Sequence, residues 1–519
     1  MRFNRGVNPV DLLRTDLTAA GYSVPALAGL WGPDAAEALH RGHRVPARRA
    51  IDALRDSRSA LPAVAILADL FVLGREVPRS ELDAAFPALG AAGAVDLGLV
   101  AITADQARAA LDLRPYSFED TDGAGAWWIV SDLGELATGG PLAEDHVLGV
   151  GGASLTLSGL MFQASVDSVL DLGTGCGIQA MHAARHARRV VATDISQRAL
   201  TIAAVNAALN GFDNIEFRLG SLFEPVAGER FDRIVSNPPF VITPRVDGVP
   251  SYEYRDGGLV GDALVQAVLT GVADHLNPGG DAQLLGNWEY HDGDDGLERV
   301  RGWLDAVALD YWIVEREVLG AALYAETWIR DGGTTPSTPD FDRLYGAWLD
   351  DFAGRGVSGV GFGYVVLRVP QAGASVTLTR TEQQHGPLGD IEPQGVGAHL
   401  EVGVAAHDWL AGTDDAGLLS TCLTVAGDVT EERHYWPGDE NPTAMILRQG
   451  GGFGRAVTLD TALAALIGAC DGELSVGAIC AALSQLLEVD EVALTAELVP
   501  AVRELVLDGI LSPSSSSRG

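Results

Sequence analysis

The sequence predicts an α/β fold built on a parallel, doubly wound sheet, and three observations predict it. Between residues 166 and 240, short apolar runs alternate with amphipathic segments of helical length. The run Ser168 to Leu172 breaks into a glycine-rich turn, Asp171-Leu-Gly-Thr-Gly-Cys-Gly177, which opens a helix. The next run ends on an acid, Asp194. Strands that alternate with helices pair in parallel, because each crossover helix returns the chain to the same edge of the sheet. A ligand of such a sheet sits beyond the carboxyl ends of its strands, where these loops lie.

The chain has 519 residues, enough for about three domains. It is 47% hydrophobic and 20% charged, the balance of a soluble globular protein. Its formal charge is −35, and every one of its 35 basic residues is Arg. A surface this acidic repels phosphates, so a protein or peptide partner is favoured over RNA or DNA. Cys176, Cys422, Cys470 and Cys480 have no Cys-x-x-Cys spacing, so neither a zinc site nor a disulfide framework is expected. Met1 to Tyr22 lacks the apolar core of a signal peptide, and Ala60 to Leu73 is too short to span a bilayer. A cytoplasmic protein that keeps away from membranes is the expectation.

Residues 1–125 read as short helices: Asp11 to Gly21, Asp34 to Leu39, Ala47 to Ser57 behind Pro46, Ala63 to Leu73, Ser80 to Phe86 and Thr103 to Leu111. With the apolar segments of Val95 to Ile102 they suggest a winged-helix-like module. Its one basic cluster is Arg41, His43, Arg44, Arg48 and Arg49, either a solvated helix face or a phosphate contact. Residues 126–370 form the predicted core. Trp127 and Trp128 lie in a strand, and a loop rich in Gly and Ser, Val147 to Leu157, follows it.

In the glycine turn, Gly173, Gly175 and Gly177 permit a tight bend and the close approach of a ligand. The helix behind it, Ile178 to His186, turns unpaired N–H groups toward that ligand. The spacing is Gly-x-Gly-x-Gly and not Gly-x-Gly-x-x-Gly, which disfavours NAD. The second strand, Arg189 to Thr193, places Asp194 where a carboxylate can hold both hydroxyls of a ribose. A helix, Gln197 to Leu209, and the strand Ile215 to Leu219 follow. The fourth strand, Phe231 to Val235, delivers Asn237-Pro-Pro-Phe240.

These three pieces together resemble the class I S-adenosylmethionine-dependent methyltransferases. The last tetrapeptide is similar to that of the subgroup that methylates planar nitrogens: glutamine side chains, adenine N6 and guanine N2. The resemblance covers Trp127 to Pro370 and implies a Rossmann-like, seven-stranded core. It implies S-adenosyl-L-methionine as cofactor and S-adenosyl-L-homocysteine as product. Asp171, Gly173, Thr174, Gly175, Gly177, Asp194 and Ile195 would line the cofactor, with Ser221 and Leu222 at the adenine and Asn237 near the methyl. Family members usually carry an acid where Ser221 stands. An amide nitrogen is a poor nucleophile because its lone pair is delocalised. Asn237 Oδ1 and the Pro238 carbonyl would each accept one of its N–H bonds, and Phe240 would stack on the planar group. Val150-Gly-Gly-Ala-Ser-Leu-Thr156 departs from the release-factor enzymes in lacking their acidic or Pro-Arg signature.

Just past the tetrapeptide, Tyr254, Arg255 and Asp256 form the substrate-binding candidate, or else an Arg–Asp pair that pins a glycine turn. Further on the sequence predicts a helix Asp262 to Leu276, a strand Ala282 to Asn287, a helix Gly296 to Val307, and strands Tyr311 to Glu317 and Gly361 to Val369. His182 and His186 are spaced i, i+4, but no third ligand is near and three arginines surround them. They read as a surface pair, and no metal is expected. Residues 371–519 begin with strands (Ser375 to Thr381, His399 to Val404, Ala444 to Arg448). They continue as helices (Leu459 to Cys470, Val476 to Leu487, Leu494 to Gly509) and end in a serine-rich tail, Pro513 to Gly519. The helical part is similar to winged-helix modules of the PqqD-like kind, which hold a substrate peptide, and acceptor recognition is its expected role. RNA or DNA base methylation, or an inactive core that only binds, are the alternatives.

Overall fold

A computed structural model describes residues 8–134, 142–252, 254–389 and 395–514. The chain falls into two compact units, one within residues 1–158 and 164–376, the other within 159–163 and 377–519.

The first unit opens with helices Pro9–Ala20, Val24–Trp31, Pro33–His40 and Val45–Ser57. Each carries Pro at its start, where the missing N–H costs no bond. Asn8 caps the first through Val10 N–H, and Gly21 ends it in the left-handed region. Leu13 and Leu17 on one face are fully buried against Phe71 and Phe86. Truncating either Leu to Ala costs about 2–5 kcal/mol. The same cluster takes in Leu209, and Arg14 Nε donates to the Leu209 carbonyl at 2.8 Å, a cation at a helix C-terminus. The N-terminal helices are therefore welded to the sheet-bearing part of this unit.

One expectation fails here. Thr103 to Leu111 is not a helix but a hairpin, Val100–Thr103 against Gln106–Ala109. Its turn places Ala104 and Asp105 at φ 47° and 70°, the two-residue geometry that hairpins favour, without the Asn-Gly that would have marked it. A second hairpin, Asp112–Asp120 with Gly123–Ser131, carries the Trp pair.

The central sheet contains β1 (Val166–Leu172), β2 (Ala187–Asp194), β3 (Ile215–Leu219), β4 (Phe231–Ser236), β5 (Leu276–His291), β6 (Asp310–Gly320) and β7 (Val357–Arg368). Within this unit their order is β3-β2-β1-β4-β5-β7-β6. The first five are mutually parallel, and β7 runs antiparallel between β5 and β6. Helices α1 (Ile178–Arg185), α2 (Gln197–Leu209), α3 (Ala263–His275), α4 (Gly296–Asp305), α5 (Ala321–Asp331) and α6 (Pro339–Arg355) belong to the same layers. Leu170, Ile234 and Leu284, from three adjacent strands, bury against Val265 and Leu269 of α3 and Trp303 of α4. Because β1 is flanked by β2 on one side and β4 on the other, the strand order reverses there and leaves a crevice at their carboxyl ends.

The loop expected at Val147 to Leu157 contains the start of a helix, Gly152–Leu160. In the second unit, His399 to Val404 is helical, part of Gly395–Ala411, and not a strand. Val and Leu recur there at helical spacing as well as in alternation, and length decides between the two. Sheets Asp471–Ser475 with Cys422–Val425 and Leu511–Pro513, and Val429–His434 with Ala444–Gln449 and Ala456–Leu459, accompany helices Thr461–Gly468, Val476–Leu487 and Glu491–Leu507. These helices bury Leu466, Leu483, Leu498 and Val502 in one cluster. Most of the serine-rich tail, 515–519, lies outside the described residues. Among the described residues no helix is long and apolar enough to cross a membrane.

Candidate active site

The crevice is built from the loops that leave β1, β2, β3 and β4. Asp171, buried near the end of β1, accepts from Thr174 Oγ1 at 2.6 Å through Oδ2, and its Oδ1 has no protein donor. Burial pushes its carboxyl up to about 7. The N–H groups of Gly173 and Thr174 donate to the Thr193 carbonyl at 3.0 and 2.9 Å, which folds the glycine turn back onto β2. Gly175 N–H donates to Asp194 Oδ2 at 2.9 Å, and Ser196 N–H to Oδ1 at 2.8 Å. Asp194 thus ties the two loops together, and burial raises its carboxyl as well. Each of its oxygens keeps lone-pair capacity beyond these single bonds.

The three glycines differ in purpose. Gly173 and Gly175 have φ of 76° and 54°, and a Cβ on either would meet nothing within 4 Å, so both border open space. Gly177, φ 86°, is packed: its Cβ would stand 2.9 Å from that of Ala203 on α2. The α1 helix that follows has no side-chain cap. Two of its first N–H groups are directed at side chains of this region, Ala180 at the Asp171 carboxylate and Ile178 at the Cys176 thiol, and the two nearby carboxylates disfavour a pyrophosphate.

Ile195 is 65% exposed beside Asp194, an apolar face for a flat ring. Ser221 and Leu222 are half-buried in the turn after β3. Leu222 sits at φ 46°, a strained conformation for a leucine, and Gly220 N–H holds this turn to the Asp194 carbonyl at 3.0 Å.

At the end of β4, Ser236 Oγ donates to the Leu172 carbonyl at 2.8 Å, which pins the start of the Asn-Pro-Pro-Phe turn to the end of β1. Asn237 Oδ1 is sealed from solvent and has no protein donor. Pro238 is buried, and Phe240 is half-buried with its ring edge-on to Trp328 and Phe362 at 6.3 and 6.1 Å.

Tyr254, Arg255 and Asp256 lie against this turn, through a bridge from Asp256 to Phe240 and a bond from Val241 N–H to the Arg255 carbonyl at 2.7 Å. Their charged groups are committed elsewhere. Arg255 is buried, donates to Asp331 Oδ2 at 2.6 Å and the Trp328 carbonyl at 2.9 Å, and stacks 4.4 Å over the Tyr252 ring. Asp256 pairs with Arg245. Tyr254 meets the buried His146 ring edge-on at 5.7 Å. The turn is pinned by ion pairs, but the partners are Asp331 and Arg245, not each other.

Several neighbours were not legible. Asn287, a polar residue within the apolar run of β5, donates through Nδ2 to the Phe240 carbonyl at 2.8 Å. Tyr324 lies on α5, a helix absent from the sequence reading. Asp132 accepts from Val147 N–H at 2.8 Å and pairs with Arg198 of α2.

The histidine pair also differs from expectation. His182 is buried in a box of Tyr116, Phe118 and Trp127, with Tyr116 Oη 3.0 Å from its Nε2. Burial lowers its pKa to about 3. His186 approaches Asp120 and Asp122, yet Arg185 already forks onto Asp120 at 2.6 and 2.9 Å. All four cysteines are free thiols.

This strand order, with a reversed β7 and a glycine turn followed by an acid at the end of β2, defines a class I methyltransferase fold. Residues 151–298 match the family described as methyltransferase small domain. Residues 19–110 and 403–513 match two families described as domains of unknown function, DUF7059 and DUF7782. The chain is similar to a release factor glutamine methyltransferase of Xylella fastidiosa, 38% identical over 176 residues, which are 32% of this chain and 62% of the relative. It is similar also to a ribosomal protein uL3 glutamine methyltransferase of Bradyrhizobium diazoefficiens, 35% identical over 151 residues, 27% of this chain and 46% of the relative. The chain thus spans about half to three fifths of the length of these curated relatives. Among solved structures, a methyltransferase from Pyrococcus furiosus aligns over 40% of this chain and 78% of its own, at 17% identity and a TM-score of 0.25.

Proposed function

We propose that this protein is an S-adenosylmethionine-dependent N-methyltransferase whose acceptor is a side-chain amide of a protein or peptide. The observation that carries the reading is Asn237 Oδ1, a buried acceptor without a protein donor at the end of β4, next to a crevice framed by Asp171 and Asp194. Buried acceptors are ordinarily paired, and an unpaired one at the edge of a crevice marks a position that a ligand donor would satisfy once the turn shifts to admit it. The names of the two relatives, both glutamine methyltransferases, support an amide as that ligand.

The residues present fit the cofactor. Asp194 would take the ribose hydroxyls, and Ile195 would lie along the adenine. Ser221 and Leu222 would flank the same ring. The glycine turn would face the amino acid end, and Asp171 would hold its ammonium through a water or after a small shift of its buried carboxylate. When bound, S-adenosylmethionine supplies a methyl group on a positively charged sulfur. The chain itself orients the acceptor. Asn237 Oδ1 and the Pro238 carbonyl would accept the two N–H bonds of the amide and so turn the nitrogen lone pair toward the methyl. Phe240 lies along the planar group. Transfer would form the nitrogen–carbon bond as the sulfur–methyl bond breaks, with neutral S-adenosylhomocysteine as the leaving group, and the two acceptors would stabilise the positive charge on the nitrogen until a proton leaves to water. Catalysis here is positioning and fixed dipoles, and it needs no dedicated base before attack.

The second unit, in this reading, recognises the acceptor. Tyr435 and Trp436, 49% and 68% exposed between the strands Val429–His434 and Ala444–Gln449, are its most accessible aromatic pair. The basic cluster that could have favoured a nucleic acid is largely spent: Arg44 and Arg48 both donate to the Leu73 carbonyl, and Arg41 pairs with Glu37. A cytoplasmic protein that works on the translation apparatus is the setting this reading implies. The test incubates the enzyme with methyl-tritiated cofactor and cell extract, then divides the label by protease and by nuclease. Protease-sensitive label that survives nuclease supports the reading, and nuclease-sensitive label overturns it.

A further inference from the structure

The two prolines that stiffen the Asn-Pro-Pro-Phe turn also deprive it of two backbone donors. Its position relative to the sheet is therefore set from its flanks. Before the turn there is the bond from Ser236 Oγ to the Leu172 carbonyl. After it, two side chains from different elements reach the same stretch of backbone. Asn287 of β5 donates to the Phe240 carbonyl at 2.8 Å, and Tyr324 Oη of α5 accepts from Ile242 N–H at 2.9 Å. Asn287 Nδ2 lies 3.3 Å from the same hydroxyl, so the two side chains also brace each other. Both are fully buried. The Tyr324 ring stacks on Phe362 at 5.6 Å, and Phe362 meets the edge of Phe240 at 6.1 Å.

We propose that Asn287 and Tyr324 are positioning residues for methyl transfer: they hold the peptide groups after Phe240 so that Asn237 and the Pro238 carbonyl keep their aim at the acceptor nitrogen. The inference rests on the methyltransferase reading. A purely structural role accounts poorly for the chemistry of the pair. Asn287 Oδ1 is buried with no partner, a cost that an apolar residue of the same size would avoid. The bonds that Asn287 does make end on the backbone of the turn and on Tyr324. Loose placement of acceptor groups is expensive, since catalytic contacts must be held to a fraction of an ångström.

The test uses the full chain with Tyr324→Phe, which removes the hydroxyl and keeps the ring, and with Asn287→Leu as the second variant. Three quantities are measured: the maximal rate of methyl transfer into the protein fraction of a cell extract, the affinity for S-adenosylhomocysteine by calorimetry, and hydrogen exchange across residues 237–243. The expected result is a rate at least tenfold lower, cofactor affinity and KM for S-adenosylmethionine within twofold, and faster exchange at the Ile242 amide. A structural role alone would lower the melting temperature and leave the rate, measured well below it, unchanged. Faster exchange at Ile242 with an unchanged rate in both variants overturns the inference by itself. A wild-type chain that transfers no label to any fraction overturns the methyltransferase reading, and this inference with it.

Discussion

Removal of the Asn237 side chain separates stability from chemistry. Its Oδ1 is buried without a donor, and such an orphan costs the folded state about 1–3 kcal/mol. Asn237→Ala abolishes that cost and loses in exchange a few half-buried contacts, worth about 1 kcal/mol. The melting temperature should therefore stay level or rise, where an ordinary truncation in so ordered a region would lower it. Cofactor affinity should hold, because the ribose and amino acid contacts come from other loops. Turnover should fall about a hundredfold or more, the scale for loss of one preorganised group. Asn237→Asp is the sharper variant. A carboxylate still accepts the bond, but its charge attracts the cationic cofactor in the ground state, an attraction that fades as the methyl leaves. The maximal rate should fall although the acceptor survives. Calorimetry with S-adenosylhomocysteine, thermal melts and the tritium assay read the three quantities. Full activity in the alanine variant would mean that the amide is oriented by another group.

Other perturbations probe the remaining parts. Asp194→Ala removes the acceptor for Gly175 and Ser196 N–H together with the two proposed ribose bonds. S-adenosylhomocysteine affinity should fall at least tenfold, about 1.4 kcal/mol, and NAD binding in its place would refute the cofactor assignment. Gly173→Ala and Gly177→Ala should both destabilise the fold through left-handed backbone strain of about 1–2 kcal/mol, and Gly177→Ala the more, since its Cβ would also crowd Ala203. Equal losses in both melts would contradict that order. His182 has its pKa lowered to about 3 by burial, so the unfolded chain takes up a proton first as pH falls. Its contribution is complete above pH 6.5 and is lost on descent toward pH 3, with about 2 kcal/mol gone at pH 5. Denaturant melts of wild type and His182→Phe should diverge in slope over that range, and parallel slopes would refute the assignment. Trp436→Ala should leave cofactor affinity unchanged and lower the transfer rate into protein, and an unchanged rate would remove the hairpin from acceptor recognition.

The elements of the crevice were legible because local and global preferences coincide there. Gln197 to Leu209 and Ile215 to Leu219 have the predicted bounds, since Ser196 caps the helix and strand-forming residues fill the run after Asn214. The strands at Asp171, Asp194 and Asn237 were legible for the same reason. What stayed hidden depends on tertiary contacts. Ala104 and Asp105 adopt a hairpin turn that local propensity does not favour, held by the register of the strands around it. His182 looked exposed among arginines because the box that buries it comes from a hairpin more than fifty residues upstream. Arg255 looked available to substrate because Asp331, its partner, lies 76 residues away. Asn287 carried a faint signal, an amide amid apolar neighbours, which acquires meaning once the Phe240 carbonyl is seen opposite it.

The exclusive use of arginine bears on how this protein meets alkali. Guanidinium groups keep their charge far above the pH at which amines lose theirs. Pairs such as Arg233–Asp281 at 2.7 Å, Arg299–Asp262 at 3.0 Å and Arg368–Asp310 at 2.8 Å therefore persist where lysine bridges would dissolve. The vulnerable groups are phenols. Burial raises the pKa of Tyr22 and Tyr324 well above the usual tyrosine value. Their contribution is whole below about pH 10 and drains away above it, as the unfolded chain surrenders its phenolic protons first. One of the two braces the Asn-Pro-Pro-Phe turn, so in strong base the loss of structure and the loss of chemistry would share a single hydroxyl.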